Sequence, residues 1–385
     1  MSSTSSSQSP TQQPTKTTVS PSKAKPKKQY PPSQYKIDDS GNKWRLCAGA
    51  AVLNSSNELL IGERLYLTNA WQAPQGGVDD ADPARHKHHR ETVVEACDRE
   101  LYEEMGLRVG THVMLDPAAS SLSLEPIRYR TIGTQNWLTK SGYAGQEMHW
   151  TIYRCIDSRG NLDPSTMCEL EGKNGEDAEF SSVKWQSTAE VVKKIWEGKR
   201  EPYEVLQVEL ESVKRQWEEM CESLDLSGTW TLDAALSVGV VEGLVQRGLT
   251  LDRAMVEAEK PYIQCWKRGG ERTSWIVTTY DVDGTTPRRV LTYAPGEREE
   301  TYQETTILFR PSGDESVQLK RHMAFLAEPD AEPVSIAHVT LTQAPRGVEE
   351  ARRYLKGDKF ILRRTLWPAE NADRPIVSTE VFVRC

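Results

Sequence analysis

Apolar and polar residues follow two different patterns along the chain, and the change comes near residue 223. Before that point, short apolar or alternating runs lie between turn-forming residues and predict strands. These runs cover residues 46–53, 58–62, 149–154 and 183–185. Two other stretches have apolar residues three and four positions apart, which predicts helices. They are residues 91–105, followed by the stop signal Gly106, and residues 189–221, with a break at Pro202. The first part is therefore predicted to mix helices with strands.

After residue 223 the pattern is mainly that of strands and turns. A short strand is predicted at 228–232, and residues 234–258 have helical spacing in two pieces separated by Gly248. From Tyr262 onward only strands are predicted, at residues 274–280, 304–309, 317–324, 335–342, 360–366 and 378–383. Strands at such regular spacing predict an antiparallel meander that closes into a β-barrel.

The first 43 residues are rich in Ser, Thr, Pro, Gln and Lys, and no acidic residue occurs before Asp38. Such a segment buries too little apolar surface to offset the entropy lost on folding, so we predict a disordered tail. A targeting segment or an arm for an anionic partner is the alternative, although the dense prolines disfavour an amphipathic transit helix. The predicted organisation is a tail at 1–43, a first domain at 44–222 and a second domain at 223–385.

Composition narrows the function classes. The chain has 385 residues, with 48 Lys and Arg against 56 Asp and Glu, and the net charge of −8 argues against a nucleic-acid footprint over the whole protein. No apolar run approaches the ~18 residues of a membrane helix, so we expect no membrane span. Seven scattered cysteines without a CxxC pair exclude a disulfide framework and a thiolate zinc site. We therefore expect a cytoplasmic protein, or an organellar one if the tail is a targeting signal.

Three carboxylates are spaced for one face of the helix predicted at 91–105. Glu100, Glu103 and Glu104 stand at positions i, i+3 and i+4, so their side chains project together. Like charges crowded in this way destabilise a helix unless something neutralises them. A hard divalent cation does so with oxygen ligands, whereas an isolated triplet of this kind is more often a solvated acidic face.

The surrounding residues resemble the Nudix box. The segment Arg99-Glu-Leu-Tyr-Glu-Glu-Met-Gly-Leu107 and the preceding Glu91 match its pattern of a glutamate, seven residues and Arg-Glu-aliphatic-x-Glu-Glu-x-Gly-aliphatic. One position departs from the box, because Arg85 stands where its first glycine is expected. The glycine pair is Gly76-Gly77, so the intervening loop is nine residues longer.

The resemblance extends over residues 44 to about 215 and narrows the family. The segment Trp71-Gln-Ala-Pro-Gln-Gly-Gly77 resembles the signature of asymmetric dinucleoside tetraphosphate hydrolases and RNA pyrophosphohydrolases. Further similar positions are Trp44-Arg45, Asn136-Trp137-Leu138, Gly145-Gln146, Trp150, Glu179-Phe180, Trp185, Lys199-Arg200 and Tyr203. The resemblance implies a Nudix α/β/α sandwich, and thus, with the second domain, an α+β chain.

The resemblance also implies a role for each matching residue. Glu100, Glu103, Glu104 and Glu179 would hold Mg²⁺ or Mn²⁺, with Glu103, Glu104 and Glu179 in the catalytic set. The residues implied to bind substrate are Arg45, Gly76, Gly77, Lys199, Arg200 and Tyr203. Arg99 would hold the glutamates through salt bridges, and Glu91 would support Arg99. The implied chemistry is metal-assisted attack of water on phosphorus in a polyphosphate chain.

The longer loop contains the basic run Arg85-His-Lys-His-His-Arg90. A solvated loop without a ligand is the simple interpretation, and a contact to a longer or more anionic substrate is the alternative. A zinc site from its three histidines is disfavoured, because the interleaved Lys and Arg place like charges around them.

The second domain has no catalytic constellation, and His322 and His338 are isolated within predicted strands. Its Gly228-Thr-Trp strand, helical pair and run of strands resemble the calycin group, most of all intracellular fatty-acid-binding proteins. Where those proteins have Arg-x-Tyr in the last strand, this chain has Glu380-Val-Phe382, so a fatty acid held in the usual way is not expected. We expect either a scaffold or a pocket for a small hydrophobic ligand.

The function expected from these features is divalent-metal-dependent hydrolysis of dinucleoside polyphosphates, with diadenosine tetraphosphate cleaved to ATP and AMP. Three alternatives remain open. They are pyrophosphate removal from the 5′ end of RNA, hydrolysis of diphosphoinositol polyphosphates, and a non-catalytic nucleotide sensor with the barrel as effector.

Overall fold

The structure is a computed structural model that describes residues 32–81, 89–120, 122, 124–130, 137–271, 273–281, 283–302, 317–344 and 347–385. The strands, in chain order, are β1 (Tyr35–Ile37), β2 (Lys43–Leu53), β3 (Leu59–Arg64), β4 (Trp71–Gln72), β5 (Gln75–Gly77), β6 (Val113–Leu115), β7 (Ile127–Arg130), β8 (Gly145–Cys155), β9 (Phe180–Gln186), β10 (Gly228–Val238), β11 (Ile263–Arg268), β12 (Trp275–Tyr280), β13 (Pro287–Tyr293), β14 (Gly296–Tyr302), β15 (Val317–Ala327), β16 (Ile336–Ala344), β17 (Gly347–Lys356), β18 (Lys359–Pro368) and β19 (Ile376–Arg384). The helices are α1 (Val93–Met105), α2 (Trp137–Lys140), α3 (Ser158–Leu162), α4 (Thr188–Lys194), α5 (Arg200–Ser223), α6 (Val240–Gln246) and α7 (Leu251–Glu259).

The first sheet is built around two long parallel strands, β2 and β8, which pair from Trp44 opposite Gly145 to Leu53 opposite Arg154. Its main strand order is β4-β3-β2-β8-β6. Strands β1 and β5 also pair with β2, β7 pairs with β8, and β9 pairs with β3. Both long strands are almost entirely buried, as expected for strands covered on both faces.

Helices cover both faces of this sheet. Alternate residues of β2, such as Ala50 and Val52, share one buried cluster with Leu101 of α1. The residues between them, such as Ala51, share another cluster with Leu206 of α5. Successive side chains of a strand point to opposite faces, so one strand supplies both cores. The result is the predicted α/β/α sandwich.

Helix α1 begins and ends where its sequence signals lie. The Thr92 hydroxyl accepts from the Glu95 backbone N–H at 3.2 Å, and the Glu95 carboxylate accepts from the Thr92 N–H at 2.8 Å. This reciprocal capping box satisfies two N–H groups at the helix start. At the other end, Gly106 takes a left-handed conformation with φ 69°. Only glycine adopts that conformation without a steric cost.

The second predicted helix divides earlier than expected. The break between α4 and α5 lies at residues 195–199, and Pro202 is in the first turn of α5. A proline is tolerated there because the first N–H groups of a helix have no partner within it.

The ten strands β10–β19 form one antiparallel sheet in the order β13-β12-β11-β10-β19-β18-β17-β16-β15-β14. Its two edges are β13 and β14, which follow one another in the chain. The ring of Trp266 on β11 lies 5.6 Å from that of His338 on β16. In a flat sheet these strands, five apart, would be separated by about 24 Å. The sheet is therefore curled like a barrel. The sequence predicts a closed barrel, but among the described residues no strand pairing joins the two edges.

Several details of the sequence prediction need correction. Tyr35–Ile37 pair with β2 as a strand, although they fall in the tail predicted to be disordered. Strands β4, β5, β6, β7, β11, β13, β14 and β17 are not predicted from the sequence. The helical pair α6 and α7 is interrupted at Gly248, where φ is 102°, as expected. The strand predicted at 304–309, and residues 1–31 of the predicted tail, lie outside the described residues.

The chain passes from α5 to β10 through residues 224–227. Trp217 of α5 and Trp230 of β10 lie in the same buried cluster. A domain boundary near residue 223 therefore stays a prediction. All seven cysteines are free thiols. Of the helices in the described ranges, none has the length and apolar character needed to cross a membrane.

Candidate active site

Two consecutive glycines bring a carboxylate and a guanidinium close to the backbone of β5. This short strand pairs with β2, with Gly77 opposite Cys47. A Cβ added at Gly76 would lie 1.8 Å from Glu100 Oε1, and one added at Gly77 would lie 2.0 Å from Arg45 Nη2. No side chain larger than hydrogen fits either approach unless Glu100 or Arg45 moves. Glu100 and Arg45 thus pack directly against this partly buried backbone, and Gly76 and Gly77 form a cradle with an anion on one side and a cation on the other.

Arg99 organises the acidic face of α1. Its Nη1 donates to Glu100 Oε1 at 2.7 Å and to Glu103 Oε2 at 2.9 Å. Its Nε donates to Glu91 Oε1 at 2.9 Å, and its Nη2 donates to the Gly77 carbonyl at 2.7 Å. The carboxylates raise the pKa of Arg99 although burial opposes them, so the guanidinium stays charged. These contacts are the ones that the resemblance implies for Arg99 and Glu91.

Glu100 and Glu104 are 8% and 6% exposed and face a third carboxylate, Glu179. Burial, opposed by Arg99, raises the pKa of Glu100 to about 7. Burial and the neighbouring Glu179 and Glu100 raise the pKa of Glu104 well above its ordinary value. Glu179 lies just before β9, and its carboxylate also binds Arg64 Nη1 at 2.6 Å. Carboxylates held this close repel one another and favour a bound cation.

The carboxylates of Glu100 and Glu103 form hydrogen bonds to other side chains of the protein. Glu100 and Glu103 face Arg99, and Glu103 Oε1 also accepts from Asn174 at 3.3 Å. In these positions no three His, Cys, Asp or Glu side chains within the described ranges are grouped so that they could hold a metal ion. The donor chemistry nevertheless fits a divalent cation, because the buried groups are hard carboxylate oxygens whose negative charges Arg99 and Arg64 only partly balance.

Cationic and aromatic side chains border the carboxylates. Lys199 Nζ donates to Gln72 Oε1 at 2.8 Å, and burial lowers the pKa of this half-buried lysine against the opposing charge of Glu179. Arg45 Nε donates to the Ser33 hydroxyl at 3.0 Å. Its guanidinium lies 5.0 Å from the ring centre of Trp137, whose side chain is 57% exposed.

Tyr203 and Arg200, which the sequence assigns to substrate binding, lie in the core and at the surface, respectively. Tyr203 is fully buried, its hydroxyl accepts from the Ala73 N–H at 2.9 Å, and its ring packs edge-on against Trp150. The structure thus places Tyr203 in the core, where it holds the link between β4 and β5, and a contact between Tyr203 and substrate stays a prediction. Arg200 is exposed at the start of α5.

Sequence reasoning missed the roles of Arg64, Gln75 and Asn174. The backbone N–H of Gln75 donates to Glu104 Oε2 at 3.2 Å. Arg64 and Asn174 bind site carboxylates from elements distant in the chain, so no local pattern marks them.

The basic insertion is only partly described. Residues 85–88 lie outside the described residues, so neither the substrate-contact nor the zinc hypothesis is tested. At its end, Arg90 Nε binds Asp80 Oδ1 at 2.8 Å, and both residues lie near the surface.

Comparison with known proteins bears on the same region. The NUDIX domain family matches residues 43–206. The RNA pyrophosphohydrolase of Azorhizobium caulinodans is 30% identical over 167 residues, which are 42% of this chain and 88% of that protein. The RNA pyrophosphohydrolase of Vibrio vulnificus is 31% identical over 166 residues, 42% of this chain and 82% of that protein. The chain belongs to the Nudix family. It is a Nudix-type hydrolase, as the sequence predicts, and the family generally depends on divalent metal ions.

Solved structures give a fainter likeness. The REP1-NXSQ fatty acid transporter has a TM-score of 0.29 and 16% identity, over 42% of this chain and 96% of that one. Wild-type fluorescent protein UnaG has a TM-score of 0.30 and 14% identity, over 42% of this chain and 97% of that one. A likeness this weak adds nothing to the topology of the ten-stranded sheet itself.

Proposed function

We propose that this Nudix hydrolase cleaves a phosphoanhydride bond in a nucleotide-linked polyphosphate, and that 5′-triphosphorylated RNA is its substrate. The observation that carries the proposal is the cradle of Gly76 and Gly77, which has the Glu100 carboxylate on one side and the Arg45 guanidinium on the other. The two glycines let an acidic and a cationic side chain lie against the same short strand, and a phosphate chain that bridges a bound cation and a guanidinium needs both charges close together.

The acidic residues are proposed to hold the metal. Glu100, Glu103, Glu104 and Glu179 supply the oxygen donors that Mg²⁺ or Mn²⁺ prefers. The bound metal would activate water and neutralise charge on the leaving phosphate. Arg99 then has a positioning role, because it fixes two of these carboxylates through one nitrogen.

The cationic border is proposed to bind the phosphates. Arg45 presents a planar guanidinium that matches phosphate oxygens, and Lys199 offers a second positive charge. The exposed ring of Trp137 beside Arg45 offers a flat face on which a nucleobase can stack. A base next to a phosphate contact is what a nucleotide substrate presents.

The choice of RNA has support from relatives that bear the name RNA pyrophosphohydrolase over the same region. Diadenosine tetraphosphate is the second candidate, because the segment Trp71–Gly77 resembles the signature of both classes. Diphosphoinositol hydrolysis and a non-catalytic sensor stay predictions from the sequence, as does the cytoplasmic location.

The test uses the full chain with Mg²⁺ or Mn²⁺ and offers a short 5′-triphosphorylated RNA and diadenosine tetraphosphate side by side. We expect release of pyrophosphate from the RNA and loss of turnover in Glu103→Gln. Glu171→Gln, which changes an exposed carboxylate outside the site, is the matched control and should keep full activity.

Cleavage of the dinucleotide alone, to ATP and AMP, would retain the site and overturn the proposed substrate. Absence of turnover on both substrates would overturn the proposal as a whole.

A further inference from the structure

One face of β2 carries positive charge beside the cradle. Lys43 and Arg45 are two residues apart on this strand, so both side chains lie on the same side of the sheet, roughly 7 Å apart along the strand. In the antiparallel pairing with β1, Tyr35 lies opposite Arg45 and therefore shares that side. Two cations and a ring thus lie on one surface.

Each of these cations lies against aromatic rings. Lys43 Nζ is 3.8 Å from the ring centre of Tyr35 and 4.9 Å from that of Tyr143. The Arg45 guanidinium is 5.0 Å from the ring centre of Trp137. We call these five residues, Tyr35, Lys43, Arg45, Trp137 and Tyr143, the cation–aromatic strip. Two pairings of a cation with a ring therefore follow one another along β2.

The cation–aromatic strip starts at the cradle and reaches the surface. A Cβ added at Gly77 would meet Arg45, whereas Lys43 lies two residues farther along β2 from the cradle. The side chains of Tyr35 and Trp137 are 43% and 57% exposed. Because a cation covers only one face of each ring, the exposed part offers a flat surface to another π-system.

The positive charge of the strip is available to a ligand. Across the described part of the chain, the side-chain partners of Lys43 and Arg45 are the three rings and the Ser33 hydroxyl, not carboxylates. Asp38, in the turn between β1 and β2, accepts from Trp44 Nε1 at 2.9 Å, and Trp44 lies on the opposite face of β2. The strip can therefore attract an anion although the whole chain is acidic.

Cations interleaved with exposed rings are the combination that binds single-stranded nucleic acid. The cations neutralise phosphates along the backbone, and the rings stack on bases, since every base has a π-face. A step of roughly 7 Å between two cations is close to the distance between successive phosphates of an extended strand. An acidic peptide would use the cations and leave the rings without a partner.

We propose that the cation–aromatic strip binds the RNA chain that follows the 5′ triphosphate. Arg45 contacts the phosphates at the 5′ end and Lys43 contacts the phosphate that follows, while successive bases stack on Trp137 and Tyr35. This inference rests on the function proposed above, because it takes RNA as the substrate. It adds that affinity increases with the number of nucleotides beyond the first.

The experiment measures binding of a dinucleotide and of a hexanucleotide RNA, both with a 5′ hydroxyl, to the full chain by fluorescence anisotropy in EDTA. Without a triphosphate or divalent cations, binding does not depend on the acidic site. We expect the hexanucleotide to bind about tenfold more tightly than the dinucleotide. Lys43→Gln should weaken hexanucleotide binding about fivefold and reduce the slope of log affinity against log salt by about 0.7.

Two further comparisons separate the ring from the charge. Tyr35→Leu removes the ring and should weaken hexanucleotide binding about fivefold, whereas Tyr35→Phe keeps the ring and should bind like the parent. Lys260→Gln, which changes a half-exposed lysine on α7, is the matched control for Lys43→Gln and should also bind like the parent. The melting temperature of each variant reports its folding.

The proposal is overturned if both oligonucleotides bind equally weakly, or if Lys43→Gln and Tyr35→Leu bind the hexanucleotide like the parent. It is also overturned if poly-glutamate displaces the RNA as well as unlabelled RNA does, since an acidic peptide would then be an equal occupant. Failure of the proposed function gives a different result. The hexanucleotide would then bind through the strip, while 5′-triphosphorylated RNA would not be hydrolysed.

Discussion

Arg154 and Asp116 form an ion pair with no exposure to solvent: Nη2 and Oδ2 are 2.7 Å apart, and both side chains are 0% exposed. The same guanidinium donates to the Asn54 carbonyl at 2.7 Å and lies 4.1 Å from the ring centre of Trp217. One residue of β8 thereby ties the turn after β2 to helix α5. Removing one partner of such a pair leaves a buried charge without compensation.

We therefore predict that Arg154→Leu lowers the free energy of unfolding by about 3–5 kcal/mol, measured by urea denaturation. Asp116→Asn in the Arg154→Leu background removes the uncompensated charge. The asparagine keeps a side-chain oxygen that can replace Asp116 Oδ1, which accepts from the Ala118 N–H at 2.8 Å. The double variant should regain part of the loss. If it is no more stable than the single variant, the charge is not the cause.

The close contact between Gly76 and Glu100 predicts that adding a single methyl group at residue 76 lowers activity. A methyl group at Gly76 would displace the Glu100 carboxylate, which Arg99 fixes by one hydrogen bond. Displacement of a positioned group by about 1 Å costs on the order of 10²-fold in rate. Gly76→Ala should therefore lose at least that factor in kcat/KM.

The control is Gly270→Ala, where an added Cβ meets nothing within 4 Å. It should retain activity and stability. Normal activity in Gly76→Ala would mean that Glu100 is not held at this position during the reaction.

Because the carboxylates are crowded, we predict that the charge of Glu104 lowers the stability of the metal-free protein although it supports activity. Its Oε2 accepts from the Gln75 N–H, and Glu179 and Glu100 repel its charge. Glu104→Gln retains the shape and removes that repulsion, so the metal-free protein should gain about 1 kcal/mol in unfolding free energy. Turnover and metal affinity should fall together. Loss of stability in metal-free Glu104→Gln would contradict this explanation.

The residues that sequence reasoning assigned well are those whose pattern is local. Helix α1 was predicted because its apolar stripe, its acidic face and the stop at Gly106 all lie within about fifteen residues. Strand β17 was missed because Glu349, Glu350, Arg352 and Arg353 conceal the alternation that reveals a strand.

All four of those charged residues are 5% exposed or less. Arg352 pairs with Glu350 on the same strand, but it also binds Glu328 and the carbonyl of Ile156 just after β8, and Glu349 binds Arg364 of β18. No short window of sequence contains the distant partners among these. The same reason explains Tyr203, whose motif position suggested a ligand contact while its burial depends on the distant Ala73 and Trp150.

The last prediction concerns the pH dependence of stability through His338, which is fully buried on β16. The groups that face it are Arg353 of β17, Tyr293 of β13, Trp266 of β11 and Phe325 of β15. Burial, and then the positive charge of Arg353, lower its pKa well below the ordinary 6.5. The folded protein therefore keeps this histidine neutral at pH values where the unfolded chain protonates it.

A depressed pKa gives stability that is complete above 6.5 and is lost as the pH falls below it, by up to about 1.4 kcal/mol per pH unit. His338→Asn does not titrate, so the fall in unfolding free energy between pH 6.5 and pH 5 should be smaller in this variant by up to about 2 kcal/mol. His89→Asn, which changes an exposed histidine, is the matched control and should follow the parent. Urea denaturation at several pH values measures the slopes. Equal slopes in the parent and in His338→Asn would show that His338 binds its proton as readily in the folded protein as in the unfolded chain.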